Sequence, residues 1–251
     1  MVPVDIHRNT VLHWLWFGLC ELLGALRAFF RREGTREEAA IAYVERHAVA
    51  GDPESVLRTM DEYAKKHRFL MNVGVEKGEV LERTLREVGA VRALELGAYC
   101  GYSAVLMGRR LKENGGTLLS IEADPRNASL ARRVVHHAGL SDVVTIRVGK
   151  AYEQIAHLVG RFDLVFIDHW KDDYLSDLQS LESGGHLARG AAVVADNVGI
   201  FASTLVGYLD YVRSSPQYDS SHYPLPMEYN TEIVDGVEVS LYAHPAADHA
   251  A

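Results

Sequence analysis

Four short stretches of this chain carry residue types that could do chemistry together, and each follows an apolar run. After VRAL comes Glu95-Leu96-Gly97-Ala98-Tyr99-Cys100-Gly101-Tyr102-Ser103, and after TLLSI comes Glu122. After FDLVFI comes Asp168-His169-Trp170-Lys171, and after GAAVVA comes Asp196-Asn197. Asp168, Asp196 and Asn197 supply three hard oxygen donors. Mg²⁺ prefers such a set: one or two carboxylates, oxygen only, with the other octahedral positions left to water and substrate. Taken singly, each acid is better explained as a helix cap. Taken as a set at successive strand ends beside Lys171, they favour a metal. The glycines of the first stretch permit positive φ and let a ligand approach the backbone closely. Glu122 stands where an acid commonly accepts the ribose hydroxyls of a nucleoside. The turn departs from GxGxxG and carries Glu95, an acid that would repel a pyrophosphate but tolerate a cation, such as a sulfonium with its α-amino group.

Regular elements must position these stretches. VRALEL precedes YSAVLMGRRLKE, TLLSIEA precedes PRNASLARRVVHHAG, and DVVTIRV precedes AYEQIAHLVG. FDLVFID precedes DYLSDLQSLES, and GAAVVAD precedes STLVGYLDYVRS. Strand–helix alternation of this kind makes a mostly parallel sheet with helices on both faces. Ligands of such sheets bind outside the carboxyl ends of the strands, where all four stretches fall. Three helices come first: REEAAIAYVERHAV, then PESVLRTMDEYAKKHRFL with proline at its start, then VEKGEVLERTLREVG stopped by glycine. Near the end, the segments around 222–229 and VEVSLYA flank Asp235-Gly236, a hairpin turn signal that predicts an antiparallel pair closing one edge. The expected fold class is α/β, with a mostly parallel seven-stranded sheet, an antiparallel edge hairpin and extra N-terminal helices.

The chain has 251 residues, enough for one mid-sized domain with extra segments, and its composition is ordinary for a globular protein. A formal net charge of −8 without a basic block argues against a nucleic-acid partner and leaves a small molecule or a protein. Cys20 and Cys100 form neither a disulfide framework nor a zinc spacing. Residues 11–30 (VLHWLWFGLCELLGALRAFF) form an apolar run of roughly bilayer-spanning length, with Trp14, Trp16 and Phe17 near one end and Arg27, Arg31 and Arg32 at the other. Glu21, near its middle, would be costly there if ionised. The run reads best as a single membrane anchor, against a cleaved signal peptide or an amphipathic surface helix. The arginines place the following domain on the cytoplasmic side of an endoplasmic-reticulum or other internal membrane. The expected organisation is an anchor leader at 1–35, a catalytic domain at 36–245 and a loose tail at 246–251.

The segments GDPESVL, LMNVGVEKG, LELGAYCGYSAV, FIDHWKDDYL, ADNV, HYPLPMEY and VDGVE, in this order, resemble the catechol O-methyltransferase family across about 38–242. With the hydrophobic leader, the chain is most similar to its transmembrane O-methyltransferase branch. The resemblance implies a Rossmann-like S-adenosylmethionine-dependent methyltransferase fold and methyl transfer to one hydroxyl of a catechol. Asp168, Asp196 and Asn197 would hold Mg²⁺, Lys171 would be the general base, and Glu228 would bind the second, unmethylated hydroxyl. Val73, Glu95, Gly97, Tyr99, Ser103, Glu122, Ala151, Asp168 and His169 would line the cofactor site, with Glu122 on the ribose. Met71, Trp170, Lys171, Asn197 and Glu228 would face the substrate. Three places depart from the soluble catechol enzyme: Phe69 replaces a gatekeeping tryptophan, Phe201 a proline, and Ala151-Tyr152 a Ser-Gln pair that reaches the adenine. A second reading follows from the leader and the altered walls: a membrane-tethered binding or trafficking factor, with a membrane-protein partner, that keeps the fold as a scaffold.

Overall fold

The computed structural model describes residues 34–243, together with Gly18 alone in the preceding segment. Apart from Gly18, the expected anchor at 11–30 lies outside the described residues, as does the tail at 246–251. Among those described, no helix is long and apolar enough to cross a membrane.

Three helices lead: α1 (Arg36–His47), α2 (Pro53–Lys66) and α3 (Gly74–Glu87). Their starts are written locally. The Thr35 side chain accepts from the Glu38 N–H while the Glu38 carboxylate takes the Thr35 N–H, a reciprocal cap. Asp52 caps α2 and Pro53 follows as its first residue. Strands and helices then alternate: β1 (Arg92–Leu96), α4 (Tyr102–Glu113), β2 (Thr117–Glu122), α5 (Pro125–His137), β3 (Val144–Val148), α6 (Ala151–Ile155) and β4 (Phe162–Ile167). A 3₁₀ turn over Lys171–Asp173 leads into α7 (Tyr174–Ser183), then β5 (Leu187–Ala195), α8 (Val206–Ser214), β6 (Tyr218–Met227) and β7 (Asn230–Tyr242). The helix expected over AYEQIAHLVG stops after five residues at α6, short of the valine and glycine that end that stretch.

The seven strands lie in the order β3-β2-β1-β4-β5-β7-β6. The first five are parallel, β7 runs antiparallel to β5, and β6 antiparallel to β7. The apolar runs are continuous because the central strands are buried on both faces. Leu164, Phe166, Ala192 and Val194 enter one core with α2, α3, α4 and α5. Val165, Ile167, Val193 and Ala195 enter the other with α7 and α8. Alternate residues of one strand thus serve opposite layers.

The edge hairpin is present, but its turn is elsewhere than expected. The strands reverse at Glu228-Tyr229, where Tyr229 takes φ 59°. Asp235-Gly236 lies inside β7, with Gly236 paired to Pro224 and Asp235 to Leu225. The dipeptide has another use. A Cβ on Gly236 would come within 2.7 Å of the His222 ring and 2.8 Å of the Tyr223 carbonyl, so the glycine permits close strand contact. Asp235 turns inward and is 1% exposed.

Candidate active site

The order of strands reverses between β1 and β4, the crevice where open α/β sheets bind ligands. Leu96 is in register with Ile167, and Ile167 with Ala195. The ladder carries past the strand ends through Asp168 N–H to Leu96 C=O (2.9 Å), Asp196 N–H to Ile167 C=O (3.1 Å) and Gly97 N–H to Ile121 C=O (2.9 Å). Gly97, Asp168 and Asp196 are therefore set side by side by sheet geometry alone. Asn197 follows with φ 59°, a conformation asparagine tolerates better than most residues.

Around these ends lies a dense polar cluster. The Lys77 ammonium, delivered from α3 and 1% exposed, is 2.8 Å from Asp196 Oδ1, 2.9 Å from Glu228 Oε2 and 3.0 Å from Asp235 Oδ2. Asp196 Oδ1 also accepts from the Asn197 N–H at 2.7 Å. On the solvent side Lys171 Nζ donates to Asp168 Oδ1 (2.9 Å) and to the Tyr174 hydroxyl (2.7 Å). That hydroxyl in turn donates to the Asp196 carbonyl at 3.2 Å. Burial drives the Asp196 carboxyl up to about 7; Lys77 opposes the rise, and Asp168, Glu228 and Asp235 add to it. Burial raises Glu228 also, again against Lys77.

Two carboxylates and an amide can hold a divalent cation here. Among the described residues no group of three or more His, Cys, Asp or Glu side chains is arranged as a metal site, and the candidate set includes the Asn197 amide. The donor chemistry fits. An ionised carboxylate only accepts, so the Asn197 amide presents its nitrogen to Asp235 (3.0 Å) and its oxygen elsewhere. Four carboxylates, Asp168, Asp196, Glu228 and Asp235, face two ammoniums, Lys77 and Lys171. The fully ionised cluster is short of two positive charges, which one divalent cation supplies.

The turn after β1 forms the other half of the site. A Cβ on Gly97, at φ 101°, would strike the Asp168 carbonyl oxygen at 2.4 Å, so only glycine lets the two strand ends approach. Glu122 binds the turn itself, accepting from the N–H groups of Ala98 (3.1 Å), Tyr99 (2.8 Å) and Asp124 (2.8 Å). Lone-pair positions remain on it for a diol. Tyr99 takes φ 45° and its hydroxyl donates to Glu37 of α1 at 2.7 Å. Glu95 is fully buried and accepts from the Ser120 hydroxyl, while its Oε1 has no hydrogen-bond partner. Ser103 stands in the first turn of α4, Val73 caps α3, and Ala151 opens α6. His169 Nε2 lies 2.7 Å from the buried Asp177, and its Nδ1 is left without a partner. Buried polar atoms are rarely orphaned, and Glu95 Oε1 and His169 Nδ1 both belong to residues expected to touch a ligand. Trp170, 73% exposed, and Met71, 52% exposed, stand at the rim. A cleft of about 660 Å³ lined by Met71, Tyr99, Asp124, Arg126, Leu130 and Arg133 opens on the Met71 side.

Glu95 yields a pH-dependent stability. Burial pushes its carboxyl up to about 7 from an ordinary 4.5, with the Ser103 and Ser120 hydroxyls opposing the rise. The folded chain therefore holds this proton more tightly than the unfolded chain, and ionisation works against folding. Free of ligand, the protein should lose stability as pH rises from about 4.5 to about 7, by up to roughly 3 kcal/mol from this group, and hold level above. Urea midpoints at about pH 5 and pH 8 should converge in Glu95→Gln; an unaltered difference between them would remove Glu95 as the cause.

Four residues of the cluster escaped the sequence reading: Lys77, Tyr174, Asp177 and Asp235. Lys77 and Asp177 occupy positions on amphipathic helices where charged residues are ordinarily solvated. Only Asp235 had a signal, and it was the signal of a turn.

Comparison with known proteins agrees with this geometry. Residues 46–206 match the O-methyltransferase family. Catechol O-methyltransferase of Mus musculus is 40% identical over 85% of this chain and 81% of its own length. Transmembrane O-methyltransferase of Homo sapiens is 37% identical over 83% of this chain and 73% of its own. The structure of the O-methyltransferase TomG from Streptomyces achromogenes, solved in complex with SAM, shares the fold at a TM-score of 0.63 and 20% identity, covering 87% of this chain and 96% of that one. With strand ends, sheet order and sequence all in agreement, this chain belongs to the O-methyltransferase family.

Proposed function

We propose that this protein is a Mg²⁺-dependent O-methyltransferase that moves a methyl group from S-adenosylmethionine to one hydroxyl of a catechol. The observation that carries the reading is the adjacency of Asp168 and Asp196-Asn197 on neighbouring strand ends, with Lys171 beside one and Glu228 beside the other through Lys77. The catechol O-methyltransferase relatives support the substrate class.

In this reading Asp168, Asp196 and Asn197 hold Mg²⁺, which when bound supplies Lewis acidity that favours the ionised form of an oxygen it touches. S-adenosylmethionine supplies the sulfonium methyl and lies along Val73, Glu95, Gly97, Tyr99, Ser103, Glu122, Ala151 and His169. The unpartnered Glu95 Oε1 receives its α-amino group, and Glu122 its ribose. A phenolic hydroxyl has a pKa of about 10 and is mostly un-ionised near neutrality, so the chain must remove a proton. Lys171 Nζ is the group placed to take that proton from the attacking hydroxyl, steered by Asp168 and the Tyr174 hydroxyl. The Glu228 carboxylate accepts a hydrogen bond from the neighbouring hydroxyl, which selects an ortho-dihydroxy ring over a simple phenol. Met71 and Trp170 cover the ring and exclude water. Holding acceptor oxygen, methyl carbon and sulfur in line is the largest contribution.

The hydrophobic leader at 1–35 tethers the domain at 36–245 to a membrane in the same reading, and relatives named transmembrane O-methyltransferase support this. The test uses the full chain expressed in cells and fractionated. Methyl transfer to catechol should sediment with membranes, stop with a chelator, return with Mg²⁺ and be absent with phenol. Chelator-resistant turnover would overturn the metal reading, and equal turnover of phenol the catechol reading. Activity in the soluble fraction would remove the tether.

A further inference from the structure

The candidate metal ligands do not orient themselves. Asp235, inside β7 and 1% exposed, uses both carboxylate oxygens twice. Its Oδ1 accepts from the N–H groups of Gly199 (3.1 Å) and Ile200 (3.0 Å), and its Oδ2 accepts from Asn197 Nδ2 (3.0 Å) and Lys77 Nζ (3.0 Å). It therefore pins the 197–200 loop through three contacts. Asn197 sits at φ 59° within that loop, and its amide could rotate by half a turn were its nitrogen not fixed. Packing forces Asp235 inward: a Cβ on Gly199 would meet Asp235 backbone atoms at 2.6 Å, so the loop lies directly on β7. Lys77 completes the arrangement from α3, with Nζ 2.8 Å from Asp196 Oδ1 and 3.0 Å from Oδ2, so that both carboxylate oxygens are held by one ammonium.

We propose that Asp235 and Lys77 are positioning residues for the divalent-cation site, with Asp235 directing the Asn197 amide oxygen toward the metal and Lys77 fixing the plane of the Asp196 carboxylate. Neither ligates the ion. The pair rests on the metal reading given above, and acts through hydrogen-bond direction instead of charge.

Charge and direction make opposite forecasts. Asp235→Asn removes a negative charge from the cluster and Lys77→Met a positive one. If the pair acted through charge alone, the first variant would bind Mn²⁺ more weakly, the second more tightly, and the double variant, whose net charge is unchanged, like the parent. If the pair acts by positioning, all three bind it more weakly, by about 10- to 100-fold, the usual effect of removing a ligand's support. Asp235→Asn alone keeps Lys77 paired with Asp196 and Glu228, which guards against a Lys77→Met chain that fails to fold. Mn²⁺ affinity is read by electron paramagnetic resonance on the full chain without substrate or cofactor, and S-adenosylhomocysteine affinity is measured alongside. Weaker Mn²⁺ binding in the double variant, with S-adenosylhomocysteine affinity within about threefold of the parent, is the expected result; the bound cation is lost while the neighbouring cofactor turn stays in order. Parent-like Mn²⁺ binding in the double variant overturns the proposal while leaving the metal reading intact. A parent chain that binds S-adenosylhomocysteine but no Mn²⁺ overturns both.

Discussion

Lys171→Ala is expected to lower kcat for catechol methylation by about 10²- to 10⁴-fold, the span that a positioned general base supplies. The residue has little structural work that would blur the result. It lies in a three-residue 3₁₀ turn, half-buried, and its contacts are Asp168 and the Tyr174 hydroxyl. The rings of Tyr174 and Phe201 flank its ammonium at 5.0 and 5.7 Å from their centroids. Truncation removes one partly exposed ion pair, worth about 1 kcal/mol or less. Cofactor affinity should stay close to the parent, because Glu95, Glu122 and the turn after β1 make no contact through Lys171. The decisive measurement is single-turnover methylation across pH, with urea stability and cofactor binding as controls. A rate within about threefold of the parent would exclude Lys171 as the base.

Gly97→Ala should be nearly as damaging, for a purely geometric reason. At φ 101° an alanine is already strained, by about 1–3 kcal/mol. Its Cβ would also lie 2.4 Å from the Asp168 carbonyl oxygen and 3.0 Å from the His169 nitrogen, both backbone atoms at the end of β4. Something must move, and what moves carries the Asp168 carboxylate and the His169 ring, the groups proposed above to meet the metal and the cofactor. A displacement of about 1 Å at such a place costs on the order of 10²-fold in rate. Gly115→Ala is the control. Gly115 also has positive φ, 66°, but nothing lies within 4 Å of its Cβ position. Both variants should lose stability, while only Gly97→Ala should lose cofactor affinity and kcat. Equal activity in the two would show that the strand ends tolerate the shift.

The strands that position the site were legible because each is a short, mainly apolar run buried on both faces, and the polar residues the crevice needs stand at or just past its end. β4 ends at Ile167 and Asp168 follows; β5 ends at Ala195 and Asp196 follows. The start of α2 was legible from Pro53, and the caps at Thr35 and Asp52, which the structure adds, are equally local, with N–H partners within three residues. The edge hairpin was foreseen but its turn was not. Asp-Gly is a turn signal by local propensity, and at Asp235-Gly236 tertiary demand overrode it. The glycine there answers to His222 and Tyr223 across the strand, and the aspartate to Lys77 and Asn197.

What the sequence by itself determined is the set of local instructions: alternating elements, caps, the glycine turn after β1 and an oxygen-rich residue at each central strand end. These depend on neighbours within a few positions, so periodicity and residue type expose them. What only the tertiary structure decided is which distant charges meet. Lys77 lies 119 residues from Asp196 and 158 from Asp235, and nothing in its helix marks it as the buried counter-ion of three acids. A helix pattern distinguishes an apolar face from a polar one, but a buried ammonium is stable only where carboxylates from other strands surround it, and those neighbours exist only once the sheet has formed.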